Sequence, residues 1–188
     1  THFHCRSLNA LKHMKREGYN TFDLVNEVGN RPGADKPIQH LAVGKRVSYN
    51  NGSAYYPSYT AGGDSALVDG WHGGWTYGDK RWQGFLGRNG VDITIDLDTV
   101  IKIRSISADF MQICGPGVFM PSQVTISASV DGQNYTQLQC IDNNVVRDDA
   151  VTFKTFSWKG KTTARYIRYQ AKRSHHGGFL FLDEVVVK

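Results

Sequence analysis

The stretch Ser122–Cys140, SQVTISASVDGQNYTQLQC, decides the fold class. Val124, Ile126, Ala128 and Val130 alternate with polar residues, the two-residue period of a strand that lays one face on a core. Asp131-Gly132 follows, a dipeptide that accepts the positive backbone angles of a primed hairpin turn, and a second patterned run comes after it. The same alternation recurs at Val91, Ile93, Ile95 and Leu97 in VDITIDL. From Ala42 onward the remaining runs are AVGKRVSY, VIKIRSISADF, AVTFKTFSW, ARYIRYQA and FLFLDEVVV. No helical segment separates them, and there is neither an internal repeat nor a low-complexity tract. The reading is an all-β antiparallel sandwich or jelly roll.

Between the first of these runs and VDITIDL lies Asp69–Phe85, DGWHGGWTYGDKRWQGF. It has neither helical nor strand periodicity, and its glycines mark a loop. Trp71, Trp75, Tyr77, Trp82 and Phe85 give that loop a large aromatic area. Two readings stand side by side: the rings are presented to a ligand, or they lie down as the lid of a core.

Residues 1–40 differ from the rest. Leu8, Leu11 and Met14 recur at helical spacing, so a helix is expected over about Arg6 to Glu17, stopped by Gly18. Thr21 caps a second short helix through Val28, closed by Gly29 with Pro32 beyond. These residues are read as a helical extension, the tail of an upstream region, with the sandwich over 41–188. His2, His4 and His13 lack a carboxylate partner at metal-ligand spacing.

The chain has 188 residues, enough for one well-buried domain with an appendage, and a formal net charge of +5. Its densest basic group is Arg165, Arg168, Lys172 and Arg173, either a solvated strand face or a patch for phosphate or anionic lipid. Cys5, Cys114 and Cys140 are odd in number and match no zinc spacing, so free, mostly buried thiols are expected, with a Cys114–Cys140 bridge as the alternative. No run reaches the length of a membrane span, and nothing points to nucleic acid. The chain starts at Thr1 without a basic-then-apolar leader, so a mature form or an excised piece is expected. Catalysis has no visible constellation: no nucleophile elbow, no HExxH, no phosphate loop. Asp92, Asp96 and Asp98 alternate on one strand and read as a solvated face.

The order of motifs, ALVDGWHGGWTYGDKRWQGF, VDITIDL, PSQVTISASVDGQNY, ARYIRYQA and FLFLDEVVV, resembles the discoidin-like domain over about Ala42 to Lys188. This is the coagulation factor V/VIII C-type domain, whose bacterial sugar-binding members form carbohydrate-binding module family 32. The variant GGWTYGDKRWQGF is similar to C-terminal modules of bacterial family 20 glycoside hydrolases, the β-hexosaminidases. The resemblance implies an eight-stranded jelly roll with ligand loops at one end. It also implies a non-catalytic module that tethers a glycosidase to glycan, in a secreted, periplasmic or cell-surface bacterial protein. The implied partners are galactose- or N-acetylhexosamine-type sugars and an upstream catalytic domain of the same chain. The rival functions are an anionic phospholipid or protein adhesion module, or a spacer that packs on a catalytic domain.

In the family a loop ahead of the last strand contacts sugar. Here it reads KRSHHGGF, offering His175, His176 and Phe179, without the loop's usual asparagine. A pyranose packs its CH-rich face on a ring and presents hydroxyls at its edge. Trp71 or Trp75 is the expected platform, with Tyr77, Arg81 and His72 at the edge. A structural calcium ion is a further implication, held by Asp69 and Glu184 with a carbonyl from Ala66. The long insertion between Asp69 and Trp82 departs from the family's short spacing there.

Overall fold

A computed structural model describes residues 30–188. The helices expected within residues 1–29, with His2, His4, His13 and Cys5, lie outside the described residues. The patterned runs on either side of Asp131-Gly132 form β4 (Gln123–Ser129) and β5 (Thr136–Asp142), paired antiparallel with Thr125 opposite Cys140. Their connection spans 130–135 rather than a two-residue turn. The Asp131 carboxylate accepts the backbone N–H groups of Gln133 and Asn134, each at 2.8 Å. Gly132 takes φ +78°. The Asp-Gly signal therefore marks the hairpin, while an aspartate-capped loop closes it.

Two long strands, β3 (Val91–Gln112) and β6 (Thr152–Lys172), run through both layers of the sandwich. Up to Asp96, β3 pairs with β1 (Arg46–Tyr49); from Ile106 it pairs with β7 (Phe179–Val187). The register against β6 breaks between Asp96 and Ile101, where Asp98 takes φ +71°. Beyond that break the C-terminal part of β6 pairs with β4. The short β2 (Gln83–Leu86) adds to the free edge of β7. The hydrogen-bonded order is β2-β7-β3-β6-β4-β5, with β1 beside β3. Sequence runs that look like separate strands, 91–97 and 101–110 or 151–158 and 164–171, are thus halves of bent strands. The jelly-roll sandwich stands, with seven strands among the described residues.

Alternate residues of the bent strands fill the space between layers: Ile93, Ile95, Ile103, Ile106 and Phe110 on β3, Ile167 and Tyr169 on β6. The outer face of the β7 layer is apolar as well. Met111, Phe181, Val118 and Trp82 form a second buried cluster there, with Tyr59, Tyr77, Phe153 and Phe179 packed against it. That face needs cover, and the Asp69–Trp82 loop supplies it.

Residues 30–40, assigned on sequence to the helical extension, cross the sandwich without helix. Arg31 is buried under the aromatic loop, and Ile38 N–H donates to the Gly70 carbonyl at 2.8 Å. The basic group on β6 is neutralised in part by its cross-strand neighbours: Arg165 pairs with Asp96 and Arg168 with Asp92. Asp92 and Asp96 are ion-pair partners rather than a freely solvated face. Cys114 is half-buried, but Cys140 is exposed on β5, the edge strand of the sheet, where most side chains face solvent; both thiols are free. Among the described residues no helix is long and apolar enough to cross a membrane.

Candidate functional site

The aromatic loop divides by depth. Trp75 is 2% exposed and sets its ring edge-on to Phe153 at 5.7 Å. Trp82 is buried too, and its Nε1–H donates to the Gly74 carbonyl at 3.1 Å. Gly73 makes that fit possible, since a Cβ there would lie 2.2 Å from the Trp82 ring. Tyr77 is half-buried, stacked on Phe181 at 5.1 Å. Trp75 is therefore no outward platform, which corrects the expectation from sequence. The outer face of β7 and β6 carries Phe181 and Phe153, and burying indoles on it gains about 1.5–3 kcal/mol per large side chain.

Trp71 and Arg81 stay nearer solvent, with the guanidinium 4.2 Å from the indole centre and its Nη1 donating to the Ala34 carbonyl at 2.8 Å. His72 turns inward, its Nδ1 2.8 Å from Asp183 Oδ2. That hydrogen bond raises the His72 pKa above its ordinary value, against the opposing effect of burial. His72, Asp109 and Asp183 bring metal-ligating atoms within 4.8 Å of one another. Arg31 already supplies the cation there, pairing with both aspartates. The cluster is a latch for the loop and for residues 30–40.

The other predicted contacts gather where β6 ends and β7 begins. His175 is exposed, and His176 stacks beside it at 4.0 Å. On its other side His176 lies nearly parallel to Phe119 at 4.9 Å, and its Nε2–H donates to the Val145 carbonyl at 3.1 Å. Arg147 sits over Phe119 at 5.5 Å. A groove of about 390 Å³ adjoins this stack, lined by Asn143, Arg147, Asp148, Phe153 and Lys154 among others. Gly178, at φ +70°, lets the loop approach so closely that a Cβ would be 2.1 Å from the Gly117 carbonyl oxygen. The backbone is then fixed by Phe179 N–H to Gly117 O and Phe119 N–H to Phe179 O.

Phe179 is half-buried and meets Tyr56 and Tyr59 edge-on, each at 5.3 Å. Tyr56 is 39% exposed and stacks on Tyr59 behind it. Sequence reasoning passed over Tyr56. Its signal was an aromatic doublet followed by Pro57, standing among Asn, Gly and Ser. The predicted contacts thus form two groups: Trp71, His72, Trp75, Tyr77 and Arg81 in the covering loop, and His175, His176 and Phe179 at the strand end.

The expected metal ligands form a third locus. Glu184 is fully buried; its Oε1 accepts Gly70 N–H at 2.7 Å and His40 Nε2–H at 2.8 Å. His40 Nδ1 accepts Ala42 N–H, which assigns the ring proton to Nε2. Burial above all pushes the His40 pKa down to about 4, so the ring is neutral near pH 7. Burial, then the neighbouring Asp69 charge, pushes Glu184 up to about 9. Asp69 is raised as well, chiefly by burial. Glu184 Oε2 is buried with no hydrogen-bond partner among the described residues. Ala66 lies in the buried turn just ahead of Asp69. Two carboxyls pushed upward and set against each other, with Glu184 Oε2 finding no partner but a proton shared with Asp69, fit a hard cation with oxygen ligands.

A two-layer β-sandwich with bent strands and a covered outer face is the architecture of a discoidin-like module. The F5/8 type C domain model matches residues 48–185, and the chain belongs to that family. It is a non-catalytic binding module. No curated protein matches the chain. Among solved structures, CBM32-1 of a family 31 glycoside hydrolase from Clostridium perfringens is similar at 20% identity and TM-score 0.53, covering 78% of this chain and 96% of that one. CpGH89CBM32-5 from the same organism, solved with GalNAc-beta-1,3-galactose, is similar at 18% and 0.51, covering 79% and 99%. Chitosan-binding module 2 from a Paenibacillus chitosanase/glucanase, solved with chitotriose, is similar at 17% and 0.51, covering 78% and 98%. At these identities the likeness is one of fold.

Proposed function

We propose that the chain is a carbohydrate-binding module that holds a bacterial glycoside hydrolase, of the β-hexosaminidase type, against its glycan. The observation that carries this reading is the exposed Tyr56 ring held edge-on to Phe179 at the strand end. Both rings have few rotatable bonds and are braced by Tyr59, so they lose little side-chain entropy when a pyranose settles on them. His175 on the same loop offers ring nitrogens to hydroxyls at the sugar edge. Galactose- and N-acetylhexosamine-type sugars are the proposed ligands, the kind held in the CpGH89CBM32-5 complex with GalNAc-beta-1,3-galactose. One ring platform with a few hydrogen bonds gives micromolar to millimolar affinity, useful as a tether to a catalytic domain of the same chain. The protein carrying such a module works outside the cytoplasm, secreted or at the cell surface.

Calcium is proposed as a structural ion held by Asp69 and Glu184 with the Ala66 carbonyl. Bound, it would supply positive charge between the Asp69 and Glu184 carboxyls in place of a shared proton and tie the loop start to the last strand. The spacer alternative loses its main support, because Trp75 and Trp82 are shielded against the sandwich itself. The test is a glycan array with the full chain and with Tyr56→Ala and Phe179→Ala. Loss of galactose- or N-acetylhexosamine-terminated ligands in variants that melt like the wild type supports the reading. A wild type that binds no glycan rejects it.

A further inference from the structure

The fold splits the basic group of β6. Arg165 and Arg168 each clasp an aspartate through two hydrogen bonds between 2.7 and 3.0 Å, so their charge is spent within the sheet. Lys172 and Arg173 run past that pairing, with no carboxylate within ion-pair distance among the described residues. Arg88 joins them from the loop 87–90. Gly90 permits this: at φ +55°, its Cβ would lie 2.3 Å from the Ala171 carbonyl oxygen, so only glycine brings the loop that close.

The three cations line one groove of about 450 Å³. The rest of its lining is mainly neutral and hydrogen-bonding: Asn89, Gln123, Thr125 and Gln170. Its one carboxylate, Asp92, already accepts Arg168, Asn50 and Asn51. Asp142 lies at the margin and accepts Gln123 Nε2–H at 2.8 Å. The groove therefore has surplus positive charge, and its amides, which spend one N–H each on Gly52, Asp142 and Asp92, keep their oxygens and a second N–H for hydroxyls.

We infer that this groove binds the uronate carboxylates of an acidic glycan. The inference rests on the carbohydrate-binding reading and names a substrate class for it. Lys172 and Arg173 lead into the His175–Phe179 loop, and Leu86, two residues before Arg88, pairs with Phe179, so the groove lies at the strand end that carries the rings. Guanidinium groups match planar carboxylates as a two-pronged fork, and the neighbouring amides take the sugar hydroxyls. The concave lining of cations and amides suits an acidic polysaccharide, whereas a membrane contact would use the exposed Leu86 beside Arg88, which phosphatidylserine vesicles test.

The experiment is affinity electrophoresis of the full chain in gels containing polygalacturonate, its fully methyl-esterified form, or a neutral galactose-terminated polymer. Polygalacturonate should retard the wild type more than the ester does, and added salt should abolish the difference. The triple variant Arg88→Gln, Lys172→Gln, Arg173→Gln should lose about tenfold in affinity for polygalacturonate, the product of three exposed ion pairs. It should keep its retardation by the neutral polymer. Equal retardation by acid and ester, or an unaffected triple variant, overturns the inference. So does a wild type that sediments with phosphatidylserine vesicles through these residues while ignoring polygalacturonate. Binding to the neutral polymer alone overturns this inference and leaves the sugar platform standing. Acid-only binding that survives Tyr56→Ala and falls in the triple variant supports the groove and overturns the platform.

Discussion

Arg31 Nη1 lies 3.3 Å from Asp183 Oδ2, beneath a loop that closes over both. The same guanidinium pairs with Asp109, donates to the Gly73 carbonyl at 2.9 Å, and faces the Phe153 ring at 4.8 Å. One side chain thus fastens three elements: the segment 30–40, the aromatic loop and the outer face of β3 and β7.

Removing that side chain takes the guanidinium from a fully buried Asp183, leaving it His72 and the Gly73 and Glu184 N–H groups. Arg31→Ala should cost about 3–5 kcal/mol, the penalty of a buried ion pair broken on one side. Arg31→Lys should recover only part, since an ammonium cannot serve two carboxylates and a carbonyl with a planar fork. Urea unfolding of the variants measures both. A loss under about 1 kcal/mol would place the latch among surface pairs.

Trp75 and Tyr56 should separate stability from recognition. Trp75→Ala removes a buried indole and should destabilise by about 3–5 kcal/mol. Tyr56→Ala removes a partly exposed ring and should leave the melting temperature nearly unchanged while abolishing glycan retention. Gly73→Ala should behave like the Trp75 variant, with tryptophan emission shifted to the red as Trp82 is pushed from its seat. Thermal melts alongside affinity electrophoresis would check all three.

The strands were legible because the two-residue period is the direct imprint of a half-buried sheet, plain at Val124–Val130 and Val91–Leu97. The bends were not. Alternation continues through Asp98, so nothing in the pattern shows that one strand serves two layers. The fate of Trp75 had a signal that went unused: FLFLDEVVV is apolar at both parities, the mark of a strand covered on both faces. A second covered face requires a cover, and the aromatic loop was the available one. The strand-end site was half legible. KRSHHGGF stood out through the resemblance, whereas Tyr56 joins Phe179 only through β2 pairing on β7, a contact remote in sequence.

Calcium should raise the melting temperature, and a chelator should reverse the gain. An ion at a hundred times its dissociation constant adds about 2.7 kcal/mol if it binds the folded chain alone. Glu184→Gln should erase that response, because an amide supplies no charge to the site. Glu184 Oε1 also holds Gly70 N–H, so some loss of baseline stability is expected in the variant. Differential scanning fluorimetry with calcium and with magnesium distinguishes the seven- or eight-oxygen ion from the octahedral one. No shift in the wild type sinks the calcium proposal.

Asp92 sets an acid limit on the fold. Burial opposes its ionisation, yet hydrogen bonds from Arg168, Asn51 and Asn50 outweigh burial and hold its pKa below the usual value. A folded-state pKa below the unfolded one means that the unfolded chain binds the extra proton as pH falls. The stabilisation is therefore complete above the ordinary value of 3.8 and is lost as pH drops through the lowered folded-state value. Asp92→Asn should be less stable at neutral pH by about 1–3 kcal/mol, with Arg168 left without its carboxylate. The variant should also lose less stability than the wild type as pH falls below about 4. Urea midpoints measured from pH 7 down to pH 3 test the sign. Parallel curves for the two proteins would mean that the Asp92–Arg168 pair contributes nothing to acid sensitivity.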